Sequence, residues 1–162
     1  MRNNDFNQLY NQYYQPLYLY ALSLTKNKED ALDLVQNTFI KAYLSYEDTS
    51  HTIIYWLIRV LRNEYIDMVR KKKKEISSDF CFEWVEDPYD FTKELINNEK
   101  KSWLYSQILK LPLQARQVML FSLITNDQNI SELLNISLEN IRTIRYRTKK
   151  QLKEKAKKEN ML

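Results

Sequence analysis

No glycine occurs anywhere in this chain of 162 residues, which also holds only three prolines. Glycine adopts the backbone angles of tight hairpin turns at low cost, so a fold of many short strands joined by such turns is disfavoured. The loops that cradle phosphate groups in nucleotide-binding enzymes need glycine for the same reason. Turns must be built from Asn, Asp and Ser, and we therefore predict an all-α protein.

The first half of the chain contains three stretches with helical spacing. Apolar and aromatic residues recur at steps of three and four over residues 6–24, 31–42 and 53–68. Asn27 is expected to cap the second helix, and Pro16 to kink the first or divide it in two. Three helices are therefore predicted to form a first small domain.

Charge is unevenly distributed, although the net charge is only +4. Five consecutive cations, residues 70–74, end the third helix, where positive charge suits the helix dipole. Residues 75–103 carry eight acidic side chains against three lysines, and helical spacing is lost until about Phe91. We predict a first domain over residues 1–74, an acidic linker over 75–90 and a second helical domain over 91–162.

The second domain ends in a pattern typical of a helix-turn-helix. Pro112 is expected in the first turn of a helix, and Asn126-Asp127 is expected to interrupt the helical pattern. Residues 130–134 predict a short helix, and Ser137 is expected to cap a longer one. Residues 138–158 of that longer helix hold nine Lys or Arg against two Glu. Such a basic helix can enter the major groove of DNA.

Three stretches, in this order, resemble the extracytoplasmic-function sigma factors of bacterial RNA polymerase. Residues 30–39 are similar to the family's polymerase-binding helix, residues 56–70 to its promoter-melting helix, and residues 111–152 to its C-terminal helix-turn-helix. The chain departs from the family at Asn135, where glycine is usual, and at Ser131, where alanine is usual. Asn tolerates left-handed backbone angles, so the turn is expected to form.

The resemblance implies a sigma factor that binds core RNA polymerase and directs initiation at particular promoters, with a stress or environmental-response regulon. The first domain would bind the polymerase and recognise the minus-ten element, and the second would recognise the minus-thirty-five element. An anti-sigma factor is a further partner that the resemblance suggests. The alternative is a stand-alone helix-turn-helix regulator that binds DNA without being a polymerase subunit. A protein-only adaptor is a third hypothesis, which the basic last helix disfavours.

The resemblance also implies particular binding residues, for which a solvated polar face remains the alternative from periodicity alone. The residues expected to bind core polymerase lie on the second helix: Asp30, Asp33, Gln36, Asn37 and Lys41. The residues expected to contact DNA lie in the loop before the third helix, on that helix and on the last helix: Ser50, His51, Thr52, Asn63, Asp67, Arg70, Lys71, Lys72, Arg142, Thr143, Tyr146 and Arg147. The loop would hold a base flipped out of the non-template strand. Clustered cations attract the DNA backbone, and Arg can bind guanine through two hydrogen bonds.

Enzymatic and metal-binding functions are disfavoured by residue types. Cys81 and His51 are the sole cysteine and histidine, so neither a zinc site nor a nucleophile with its base can be assembled from them. We expect no metal, no cofactor and no catalytic activity. The polar first ten residues and the lack of any apolar stretch of roughly twenty residues predict a cytoplasmic protein that is neither exported nor membrane-spanning.

Overall fold

The computed structural model describes residues 3–46, 53–75 and 87–162, and the regular elements within these ranges are all α-helices. Two compact units divide the chain, Met1–Val85 and Glu86–Leu162. The all-α prediction is therefore confirmed. Most of the predicted linker, with Cys81, lies outside the described residues, so the predicted domain limits remain predictions.

The first unit contains three helices, α1 (Asn3–Thr25), α2 (Lys28–Ser45) and α3 (Ile53–Glu75). Asn27 caps α2 as predicted, because its side-chain oxygen accepts a hydrogen bond of 3.0 Å from the backbone N–H of Asp30. Pro16 lies inside α1 and does not divide it. The helix continues through the proline because residues on both sides of it, such as Leu9 and Leu17, are buried in the same core.

Apolar side chains from all three helices form the core of the first unit. Tyr20, Phe39, Leu57 and Leu61 are among its largest fully buried side chains. Burial of one such side chain contributes about 1.5 to 3 kcal/mol to the stability of the folded state. The core therefore holds the apolar faces of the three helices inward, and only their opposite faces remain available for partners. Trp56 and Val60, two apolar residues of the periodic stretch 53–68, are only half-buried, while Leu57 and Leu61 lie in the core.

The second unit contains five helices within its described residues: α4 (Pro88–Leu95), α5 (Glu99–Leu109), α6 (Leu113–Phe121), α7 (Asp127–Leu134) and α8 (Leu138–Lys158). Helix α4 begins three residues before the predicted return of helical spacing at Phe91. Its start is fixed by Asp87, whose carboxylate accepts a 3.0 Å hydrogen bond from the N–H of Tyr89. Pro112 directly precedes α6 instead of lying in its first turn.

Helices α7 and α8 form the predicted helix-turn-helix. Asn135 ends α7 with left-handed angles, φ 54° and ψ 47°, as expected for the residue that replaces glycine. Ser137 caps α8 by accepting a 3.1 Å hydrogen bond from the N–H of Asn140. Asn126, which was predicted to interrupt the helical pattern, lies between α6 and α7, and it also caps α7 by accepting a 2.9 Å hydrogen bond from the N–H of Asn129. The same property, a short side chain that bonds to nearby backbone, explains both roles.

Candidate functional site

Helix α2 exposes one side of its surface to solvent. Asp33, Gln36 and Asn37 lie on this side, while the residues between them, such as Leu34 and Val35, are buried. The structure therefore brings together three of the five residues expected to bind polymerase. Their exposure leaves them available to a partner.

Two apolar residues continue the same exposed side of α2. Ile40 is 55% exposed and Leu44 is 73% exposed, and they follow Asn37 at steps of three and four residues. Neither residue was predicted to bind a partner, because apolar residues on a helix are usually assigned to its core. The signal was present, since both positions fall outside the inward stripe that contains Leu34 and Ala42.

The other two residues expected to bind polymerase are held in ion pairs with α3. Lys72 Nζ donates a hydrogen bond to Asp30 Oδ2, and Lys41 Nζ donates one to Glu64 Oε1. Lys72 was expected to contact DNA, so the structure joins two residues that were assigned to different partners. The Asp30 and Lys72 side chains are 22% and 25% exposed, and this pair fixes the start of α2 against the end of α3.

Helix α3 presents the predicted DNA-facing residues on one exposed side. Asn63, Asp67 and Arg70 are all exposed, and their spacing of four and three residues places them on a single face. Lys71 beside them is exposed too. Ser50, His51 and Thr52, the predicted loop contacts, lie outside the described residues.

Helix α8 presents a basic and aromatic side to solvent. Arg142, Tyr146 and Arg147 are exposed, with Tyr146 at 70%, and Thr143 is half-buried. The Thr143 hydroxyl donates a 3.0 Å hydrogen bond to the backbone oxygen of Glu139 within the same helix. The four residues predicted to read DNA therefore share one side of α8, away from its buried stripe.

That buried stripe of α8 includes an arginine. Ile141, Thr148 and Leu152 are buried, and Arg145 falls between them, four residues after Ile141. Its guanidinium binds the carboxylate of Asp127 and the hydroxyl of Ser122. From the sequence, Arg145 was predicted only as one cation of a basic helix. Its position in the apolar stripe was the signal that it faces inward.

The ion pair perturbs the ionisation of Asp127. The hydrogen bond from Arg145 has the largest effect and lowers the pKa of the Asp127 carboxyl. Burial opposes this shift, and the positive charges of Arg145 and Arg142 lower the pKa further. Asp127 thus remains charged at neutral pH, where it is the anion that holds Arg145.

A cavity of about 760 Å³ opens on the second unit. Its apolar floor includes Trp103, Ile108 and Met119, and its rim includes the cations Lys100 and Lys149. This combination of an apolar floor and a basic rim fits one side of an amphipathic helix that carries acidic residues.

Within residues 3–46, 53–75 and 87–162, no cluster of His, Cys, Asp and Glu side chains could hold a metal ion. None of the helices described for this chain is long and apolar enough to cross a membrane.

Comparison with known proteins identifies relatives along almost the whole chain. The family described as Sigma-70 region 2 matches residues 9–75. The chain is 32% identical over 151 residues to the ECF RNA polymerase sigma factor SigM of Bacillus subtilis. The matched residues make up 90% of this chain and 91% of that relative. It is 30% identical over 142 residues to the RNA polymerase sigma factor SigV of the same organism. The matched residues make up 86% of this chain and 81% of that relative.

The fold also matches a solved structure. The sigma factor RpoE in complex with the anti-sigma factor NepR, from Bartonella quintana, superposes with a TM-score of 0.62 at 22% identity. The match covers 93% of this chain and 95% of that chain. At this identity the likeness supports the fold, two lobes built of helices.

Proposed function

This chain belongs to the extracytoplasmic-function group of RNA polymerase sigma factors, and from that membership we propose how its surfaces divide the work of promoter-specific initiation. The α2 face binds core polymerase, the α3 face binds the minus-ten region, and the α8 face reads the minus-thirty-five element. The observation that carries this proposal is the exposed side of α8, where Arg142, Tyr146 and Arg147 project from a helix-turn-helix.

The proposed polymerase-binding face consists of Asp33, Gln36, Asn37, Ile40 and Leu44. The first three supply a charge and amide groups, and the last two supply apolar area. A mixed face of this kind is typical of a protein interface, in which apolar contacts give affinity and polar groups give register. Asp30 and Lys41 support this face indirectly, because each is paired with a residue of α3.

The proposed minus-ten surface is the exposed side of α3. Arg70 and Lys71 can bind phosphates without precise geometry, while Asn63 can donate and accept hydrogen bonds at a base edge. Asp67 lies between Asn63 and Arg70 on that face. Its negative charge repels phosphate, but its carboxylate can accept a hydrogen bond from the amino group of a base. Lys72 contributes less directly to DNA binding, because its ammonium group is already paired with Asp30.

The proposed minus-thirty-five surface is the solvent-facing side of α8. Arg142 and Arg147 can each bind guanine through two hydrogen bonds, and the exposed Tyr146 ring can pack against sugar or base. Thr143 is held to its own helix through its hydroxyl, which leaves its methyl group to contact a thymine methyl.

The proposal also includes a further protein partner, an anti-sigma factor, and a cytoplasmic location. The structural relative with NepR supports an anti-sigma factor as a further partner, and the cavity beside Trp103 fits an acidic amphipathic helix of such a protein. We place the protein in the cytoplasm, where the polymerase works, with no catalytic role of its own. A regulon of stress or environmental-response genes is part of the same proposal. Inhibition of transcription by an acidic amphipathic peptide, relieved by Lys149→Glu, would support the anti-sigma surface.

Run-off transcription tests the proposed function. Purified chain is added to bacterial core polymerase with a library of genomic fragments, and the transcripts are mapped. We expect transcripts from a small set of promoters that core polymerase alone does not produce. Their absence, under conditions where another sigma factor works with the same core preparation, would contradict the proposal.

The assignment of the α2 face has a matched control. Gln36→Ala should weaken association with core polymerase, whereas Gln15→Ala, which removes another exposed amide in the first unit, should not. Equal losses for both variants would show that binding does not depend on α2.

A further inference from the structure

Arg145 is a charged residue on the buried side of α8. Its side chain is 21% exposed, and that of its partner Asp127 is 29% exposed. A charge on an inward stripe is stabilised only if it is paired and its hydrogen-bonding groups are satisfied. The residues that pair with Arg145 therefore decide how this part of α8 packs.

The guanidinium of Arg145 joins three elements of the second unit. Its Nε and one terminal nitrogen donate hydrogen bonds of 3.2 and 3.0 Å to the hydroxyl of Ser122, which directly follows α6. Its other terminal nitrogen donates one of 3.2 Å to Asp127, the first residue of α7. The Ser122 hydroxyl in turn donates a 2.6 Å hydrogen bond to the backbone oxygen of Val118 in α6.

These contacts leave Arg145 little capacity for DNA. Arginine has five N–H donors, and four of them are directed at Ser122 and Asp127. A phosphate contact would have to break hydrogen bonds that are already made. Arg145 therefore differs from Arg142, whose side chain is 70% exposed and whose Nε lies 4.0 Å from Asp127.

The position of Arg145 along α8 gives these contacts a functional consequence. Arg145 lies between Arg142 and Arg147 in the sequence, so it clamps α8 at the level of the proposed base-reading residues. A planar guanidinium held by two partners resists rotation of the helix about its own axis. We propose that Arg145 is a positioning residue, which Asp127 and Ser122 hold so that α8 presents Arg142 and Arg147 at the correct angle to the minus-thirty-five element.

This inference rests on the proposed reading of DNA by α8, and it predicts an effect on promoter choice in addition to stability. A merely structural ion pair would lower transcription from all promoters in proportion to the folded protein lost. A positioning residue would change the ratio between promoters, because a rotated helix fits the cognate element less well and a mismatched element no worse.

The test is run-off transcription by the complete holoenzyme on two templates, a mapped promoter and the same promoter with a substituted minus-thirty-five element. Asp127→Asn replaces one acceptor oxygen with an N–H donor facing Arg145. We expect it to lower the ratio of the two transcripts about threefold to tenfold, as for residues coupled in one hydrogen-bond network. Asp127→Glu keeps the carboxylate and should restore most of the ratio.

The matched control is Asp87→Asn. It removes an ion pair of the same unit, with Lys110 at 3.2 Å, and leaves a side chain that caps α4 equally well. We expect its transcript ratio to equal that of the wild type. Ser122→Ala serves as a second variant if Asp127→Asn folds poorly, and it should lower the ratio in the same direction by a smaller factor.

The outcomes separate this inference from the proposed function. Unchanged ratios for Asp127→Asn and Ser122→Ala, together with a collapsed ratio for Arg142→Ala, would overturn the role of Arg145 and leave the α8 assignment intact. An equal loss of ratio in Asp87→Asn would overturn it too. If the wild-type holoenzyme does not distinguish the two templates, the proposed reading by α8 fails and the inference fails with it.

Discussion

Replacement of Arg142 by alanine should separate sequence recognition from charge attraction on α8. The Arg142 side chain is 70% exposed, and its closest approach to Asp127 is 4.0 Å, which is longer than a hydrogen bond. Removal of such an exposed pair changes the free energy of unfolding by at most about 0.5 kcal/mol. Such a small change leaves the folded fraction of the protein unaltered. A change in promoter choice in this variant must therefore come from the lost DNA contact.

The expected size of that effect follows from base readout. Loss of two hydrogen bonds to a guanine costs about 1 to 3 kcal/mol on the cognate element only, which corresponds to roughly a fivefold to 150-fold loss of discrimination. Lys153, three turns farther along α8, is expected to meet phosphate at most. Lys153→Ala should leave discrimination unchanged and reduce the slope of log affinity against log salt by about 0.9.

The assay is competition between the cognate promoter and one with a changed minus-thirty-five element, transcribed in the same tube at several salt concentrations. Thermal unfolding of each variant verifies that the folded fraction is unchanged. If Lys153→Ala erases discrimination while Arg142→Ala and Arg147→Ala preserve it, the recognition surface has been assigned to the wrong part of the helix.

Three further predictions address stability and polymerase binding. Leu57→Ala, at a fully buried site of the first unit, should lower its free energy of unfolding by about 2 to 5 kcal/mol in denaturant titration, and a loss below 1 kcal/mol would contradict the described core. Ile40→Glu, at a position that is 55% exposed, should reduce core-polymerase association about tenfold or more in a pull-down without lowering the melting temperature, and unchanged association would exclude Ile40 from the interface. The lowered pKa of Asp127 means that its contribution to stability is present above the ordinary carboxyl pKa of 3.8 and is lost as pH falls through the lowered value. Asp127→Asn should therefore flatten the decline in melting temperature below about pH 4, and an identical decline would contradict the ion pair.

Local features of the fold were predictable because they depend on neighbouring residues. Asn27 and Ser137 cap helices in a way that the sequence shows directly, through a short polar side chain before an apolar pattern. Asn135 adopts the left-handed turn for an equally local reason. The start of α4 was missed because the acidic composition around Asp87 was taken for a linker, although an Asp before a proline is itself a helix-start signal.

Features that depend on contacts between helices were not predictable. The pairing of Asp30 with Lys72 joins residues that are 42 positions apart, and the pairing of Asp127 with Arg145 joins residues that are 18 apart. Helical spacing gives the face on which a residue lies, and it does not give the residue opposite. Spacing alone thus indicates that Arg145 faces inward on α8, but it does not show that Asp127 and Ser122 hold its guanidinium there.

Footprinting of one mapped promoter tests the central claim most directly, namely that this chain reads DNA as a polymerase subunit with the two elements assigned to α3 and α8. Hydroxyl-radical protection would be compared for the chain alone, for the wild-type holoenzyme and for holoenzyme with Arg142→Ala. We predict that the wild-type holoenzyme protects both the minus-ten and the minus-thirty-five regions, that Arg142→Ala selectively weakens the minus-thirty-five protection, and that the chain alone protects neither at the same concentration. Equal protection by the chain alone, or loss of the minus-ten protection in place of the minus-thirty-five, would contradict the account.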